Sequence, residues 1–194
     1  MAWGGRLPVP WKDGGLPAPI RGWRQTVERQ LTFVPVSRAE AASLATGGDL
    51  PAPRPGFAAT DALFISQGLA PDSEEEGEYA AMVLASVWGL SHFGERVVLV
   101  AELPADHVAE ADPDDAETGN GAVSVTAVPS QSVVSWFGDE PEAADAVRVA
   151  AEAARGLGVD EAWDLEPVQA LVTGHDLLWH SAEELPQLVT SGEA

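Results

Sequence analysis

The densest group of side chains able to do chemistry lies near the C-terminus, where His175, Asp176, His180, Glu183 and Glu184 follow one another closely. An imidazole beside a carboxylate suits general acid–base work, and the same groups are ligands for a divalent ion. If residues 177–179 form a strand, period-two alternation puts His180 on the face opposite Trp179 and Asp176 on the face of Leu178 and His180. Trp179 is then expected in the core. A plainer assignment accounts for the same residues: His175 and Asp176 make the turn into the strand, and Ser181 with Glu184 forms a capping box for a short last helix. No two histidines here have the i, i+4 spacing of a helical zinc site.

Two further carboxylate groups invite a metal reading. Glu76 and Glu78 belong to an acidic run with Glu74 and Glu75 at the start of a long helix, and would offer two ligands if that end met the terminal cluster. Otherwise the run complements the positive end of the helix macrodipole. Glu110, Asp112, Asp114, Asp115 and Glu117 are oxygen ligands of the kind calcium prefers, but Ala116 and Glu117 stand where a third ligand and a glycine belong. That stretch reads as a solvated loop.

Other chemistries are excluded by residue type. The chain has no cysteine, which removes disulfides, thiolate zinc sites, iron–sulfur clusters and thiol nucleophiles. Lys12, the sole lysine, follows no Gly-x-x-x-x-Gly, and Gly119-Asn120-Gly121 lacks the third glycine of a dinucleotide fingerprint. In Gly89-Leu90-Ser91-His92-Phe93-Gly94 the second glycine comes one place late for a nucleophile elbow, so Ser91 and His92 are ordinary helix-end residues. No cofactor is expected.

The elements that must hold these residues fit one domain of 194 residues, with 45% hydrophobic residues and a formal charge of −21. Residues 1–30 form a basic arm rich in Trp, Pro and Gly: Arg6, Lys12, Arg21, Arg24 and Arg29 oppose Asp13 and Glu28, a net of +3 that leaves −24 on residues 31–194. Trp3, Trp11, Arg21, Trp23 and Arg24 in this arm are candidate contacts for a protein partner. The acidic body should repel nucleic acid and anionic membrane. The first residues are too broken by proline and glycine for a signal peptide, which points to the cytoplasm.

Alternation predicts strands at 31–36, 97–101 and 123–127, the last two as neighbours, with short strands at 56–59, 168–172 and 177–179. Ser37 with Glu40, and Ser73 with Glu76, are capping boxes that open helices, the second of them central. Thr60 caps one helical turn, and residues 49–56, with three prolines, form a loop. Pro129 is placed at the start of a helix carrying Val133, Val134, Trp136 and Phe137, and residues 140–155 form an amphipathic helix with Ala143, Val147, Ala150, Ala151 and Ala154 inward.

The succession of residues 57–63, the Glu-rich start of Glu78-Tyr79-Ala80-Ala81-Met82, the strand Arg96-Val97-Val98-Leu99-Val100-Ala101, and His175-Asp176-Leu177-Leu178-Trp179 before Glu183-Glu184-Leu185-Pro186 resembles an acidic actinobacterial family known only as a domain of unknown function. The resemblance covers roughly residues 31–189 and leaves the arm outside. It implies lineage and compartment but carries over no activity, cofactor or catalytic residue. Members often have tyrosine where this chain has His180.

The expected fold is α/β of the α+β type: a single layered domain with a mixed sheet of four to six strands and helices mainly on one face. The expected function is a small cytoplasmic interaction or regulatory protein without catalytic chemistry. The alternative is a hydrolase or metal-assisted enzyme using His175, Asp176 and His180, with Glu76 and Glu78 as metal ligands.

Overall fold

The computed structural model describes residues 29–48, 50–112 and 115–190, apart from the side chains of 189 and 190. Trp3, Trp11, Arg21, Trp23 and Arg24 lie outside the described residues, as does Asp114.

The strands are β1 (Arg29–Pro35), β2 (Arg54–Phe57), β3 (Val98–Pro104), β4 (Val108–Glu110), β5 (Ala122–Val125), β6 (Val133–Gly138) and β7 (Leu178–Ser181). They form one seven-stranded sheet in the order β4-β5-β2-β1-β3-β6-β7, and every neighbouring pair is antiparallel. The expectation of a mixed sheet of four to six strands is thereby corrected on both counts. β3 and β5 are not neighbours: β3 lies between β1 and β6, and β5 between β2 and β4. Only the 3-10 turn Ala105–His107 links β3 to β4, although four strand spacings separate them in the sheet. A flat sheet would need about 19 Å for that step, and four residues reach at most about 14 Å, so the sheet curls back on itself.

Both faces are buried, and alternation sorts the side chains. Phe33, Val98 and Val100 belong to one core, while Val34, Leu99, Ala101 and Leu103 belong to the other. The helices that cover these faces are α1 (Arg38–Ala45), α2 (Asp61–Gln67), α3 (Glu74–Phe93), α4 (Ala144–Ala154), α5 (Val159–Trp163), α6 (Glu166–Gly174) and α7 (Leu185–Thr190). α2 to α6 contribute to the first core, and α1 with α7 covers the second, so the fold is α+β with its helices concentrated on one face. α3 is buried almost all round, from Ala80 to Val87 and at Leu90, because α4 and α5 close over the side turned away from the sheet. No helix among the described residues is long and apolar enough to cross a membrane.

Local chemistry explains the boundaries. Ser37 is extended at ψ 158° and caps α1 through its capping box with Glu40. Ser73 sits at ψ 53°, outside the extended region usual for an N-cap, and makes no side-chain cap bond, so the capping box expected there is absent and three glutamates stand in the first turn instead. Thr60 caps α2 with a bond from the Leu63 N–H at 3.2 Å. Arg54 falls in β2 although residues 49–56 read as a loop. Its guanidinium is buried and donates to Glu40 at 3.0 Å and to the Pro35 carbonyl at 2.7 Å, tying β2 to α1 and to the end of β1. Burial alone would raise the Glu40 carboxyl, but the Arg54 guanidinium and the Ser37 bonds outweigh it and hold the group below its ordinary range.

Two elements change type against expectation. Residues 133–137 are strand β6 rather than helix, entered through a 3-10 turn after Pro129. Residues 168–172 lie in helix α6, where Pro167 stands in the first turn and Val168 and Leu171 share the buried face. The described residues on either side of Asp114, at 112 and 117–118, are tied down rather than loose. Glu117 accepts the Val159 N–H at 2.8 Å and the Asn120 side-chain amide at 2.9 Å, so it fixes the start of α5, and Thr118 donates to the Asp112 carbonyl at 2.8 Å.

Candidate functional site

The site is built where the entry to β3, the exit of β6 and the segment joining α6 to β7 converge. Arg96, 2% exposed, stands just before β3. Its Nε donates to both carboxylate oxygens of Asp139, just after β6, at 3.0 and 3.2 Å, and its Nη2 donates to the same carboxylate. Nη2 also donates to the His175 carbonyl at 3.0 Å. One buried guanidinium therefore pins all three segments, with the bidentate geometry that suits arginine and carboxylate. The next residue, Glu140, places Oε1 3.1 Å from His175 Nδ1.

On this clamp rests a half-open cavity of about 250 Å³. Tyr79, Met82 and Val83 of α3 form one wall, Phe137 of β6 another, and His175, Asp176 and Trp179 line the C-terminal side. Tyr79 is the single tyrosine of the chain. Burial, and then the nearby Asp176 charge, push its hydroxyl above the ordinary tyrosine range, so it stays protonated and able to donate. Ser86 also lines the cavity, but its hydroxyl donates to the Val83 carbonyl at 2.7 Å within its own helix.

The three residues singled out near the C-terminus separate. His175 and Asp176 share the cavity, whereas His180 stacks on Trp136 with ring centroids 4.0 Å apart, on the face covered by α1 and α7. His180 does lie opposite Trp179, as alternation requires. Asp176 precedes the strand and lines the cavity with Trp179 instead of sharing the face of His180. Trp179, expected in the core, is 57% exposed: it stands on the last strand of the sheet and covers only the rim of the cavity. Ser181 and Glu184 form the expected capping box. Ser181 bonds, its backbone N–H first, hold the Glu184 carboxyl below its ordinary range.

Glu76 is exposed and Glu78 half-buried, and neither lines the cavity. Burial, then the charges of Glu74 and Glu75, raise the Glu78 carboxyl. Among the described residues no three histidine, aspartate or glutamate side chains gather closely enough to hold a metal ion. Arg96, Asp139, Glu140 and Tyr79 are the site residues that sequence reasoning missed. The one signal available was a lone arginine next to the aliphatic run 97–101, with acidic residues directly after a second apolar run.

No curated protein and no solved structure matches this chain. Residues 31–189 match the family described as a family of unknown function (DUF6912), a span that begins inside β1 and ends inside α7 and so takes in every element that builds the cavity. The chain belongs to that family.

Proposed function

We propose that this is a small interaction or regulatory protein without catalytic chemistry, which docks an extended segment of a partner on the outer edge of β7. The observation that carries the reading is the exposure of two large apolar side chains there: Trp179 is 57% and Leu178 43% exposed, on opposite faces of a terminal strand. Among the described residues no strand pairs with the outer side of β7. An edge strand offers a row of free N–H and C=O groups, and apolar side chains on it favour pairing where charges would block it. Strand addition uses main-chain bonds for affinity and neighbouring pockets for specificity, and the cavity beside Trp179 is such a pocket. Trp3, Trp11, Arg21, Trp23 and Arg24 of the basic arm are candidates for a second contact with the same partner. A cytoplasmic setting belongs to this reading and rests on the sequence alone.

The test compares the full chain carrying Trp179→Ser with one carrying Ile65→Ser, since Ile65 is 81% exposed on α2. Partners retained by the parent chain and by Ile65→Ser should be lost with Trp179→Ser. The purified partner should then slow amide hydrogen exchange along β7. Identical partners for both variants, or protection confined to other elements, would remove β7 from the proposal.

A second reading is favoured by one contact. The His175 Nδ1 to Glu140 distance of 3.1 Å, beside Asp176 at a cavity, is the orienting half of a general acid–base pair. An activity that is lost in both His175→Gln and Glu140→Gln while the fold persists would favour that reading over docking.

A further inference from the structure

We infer that the cavity beside β7 receives the cationic side chain of the docked segment, an arginine or lysine. This rests on the reading of β7 as a docking edge and adds the chemistry that the segment must carry. Three aromatic rings, Tyr79, Phe137 and Trp179, line the cavity together with the Asp176 carboxylate. Aromatic faces and a carboxylate are what a guanidinium or ammonium group finds favourable.

The local charge has the sign this requires. Arg96 lines the cavity too, but it is buried and already engaged by Asp139 and by the His175 carbonyl, so its charge is balanced. Asp176 then contributes a carboxylate to the lining with no arginine paired to it among the described residues, on a chain whose formal charge is −21; Glu140 stands behind it, against His175 Nδ1. An anionic ligand would meet the Asp176 carboxylate and a guanidinium already committed to Asp139. A cation meets the opposite balance and is drawn in by the field of the whole molecule.

Size and register point the same way. About 250 Å³ is below the roughly 300–1,000 Å³ of pockets that enclose a drug-sized ligand, and it suits one long side chain. Trp179 lies opposite Phe137 in the β6–β7 ladder, on the α3 side of the sheet. In a strand added beyond β7, the residue paired with Trp179 projects to that same side, over the cavity. Its two neighbours project to the other side, towards Leu178 and His180.

The experiment titrates the isotope-labelled full chain with the blocked peptide Thr-Val-Arg-Val-Thr and with the same peptide carrying citrulline, the neutral isostere, in place of arginine. The arginine peptide should shift the β7 amides and the Trp179 indole with a Kd about tenfold below that of the citrulline peptide. That preference should vanish in Asp176→Asn, whose exposed side chain can change without loss of fold, and should shrink as salt is raised. Equal affinity for the two peptides, with β7 still shifted, would overturn the cation inference and leave the docking edge standing. No shift along β7 with either peptide would remove both. If replacing Arg6, Lys12, Arg21 and Arg24 together by glutamine moves the β7 resonances with no peptide present, the chain's own basic segment is the occupant and the assignment to a partner is overturned.

Discussion

Replacing Arg96 by methionine tests whether the cavity stands on its buried clamp. The substitution keeps the length and apolar volume of the stem, removes the guanidinium, and strands the Asp139 carboxylate, whose side chain is only 11% exposed. Breaking a buried ion pair from one side costs about 3–5 kcal/mol. Asp139 retains some access to water, so the lower end, about 3 kcal/mol, is expected. With a urea m-value of about 2 kcal/mol/M, the unfolding midpoint should fall by about 1.5 M. Asp139→Asn keeps an acceptor for Arg96 and should cost less, about 2 kcal/mol. In the double variant neither charge is stranded, so the two losses should fall short of additivity by at least about 1.5 kcal/mol. The lost bond to the His175 carbonyl, 3.0 Å in the parent, is common to the single Arg96 variant and the double one and cancels from the coupling. Denaturation curves on the four proteins supply the cycle. Additivity within about 0.5 kcal/mol would mean that the pair is not made in solution and that the floor of the cavity has another origin.

Other outcomes follow from single residues. Glu78 holds its proton more tightly folded than unfolded, so the stability it contributes is present below its ordinary pKa of 4.5 and lost as pH rises through the raised folded value. Glu78→Gln should therefore raise the melting temperature at pH 7 and leave it unchanged at pH 3; an equal gain at both would contradict this assignment. Gly121 has φ +81° and its missing Cβ would lie 2.5 Å from the Ala58 carbonyl oxygen, so Gly121→Ala should cost at least about 2 kcal/mol, read as a fall of about 4–8 °C in Tm. Gly68 has φ +63° and open space around it, so Gly68→Ala should lose only about 1 kcal/mol in the same melt. Leu90 is fully buried in α3, and Leu90→Ala should lose about 2–5 kcal/mol in chemical denaturation.

Most of what could be read in advance depends on neighbours in sequence, the absent capping box at Ser73 being an exception. The long central helix α3, the aliphatic run of β3 and the capping boxes at Ser37 and Ser181 all appear where local chemistry puts them. β6 was hidden by a bulge. Val100 pairs with Ser135 and Ala101 with Val133, so Val134 is an extra residue, 43% exposed, and Val133 and Trp136 reach the same core three positions apart. That spacing mimics a helix. α6 failed in the opposite sense: its Val and Leu residues resemble a short buried strand, and tertiary packing against α4 decided for helix. His175 and Asp176 could be found because they are adjacent. Arg96 and Asp139 could not, since nothing local connects positions 43 apart, and it is the pairing of β3 with β6 that brings them together.

The place of β7 in the chain governs when the edge proposed for docking comes into being. Strand β6 is complete at Gly138, yet the segment that covers its flank ends at Ser181, which at about 5–20 residues per second is made some 2–9 s later. During that interval a nascent chain carries Trp136 and Phe137 on an uncovered flank, and it acquires the Trp179 surface only when β7 arrives. The strand that ends one vulnerability thus also brings the exposed Trp179, and a chain truncated before His175 keeps the uncovered flank and lacks that side chain.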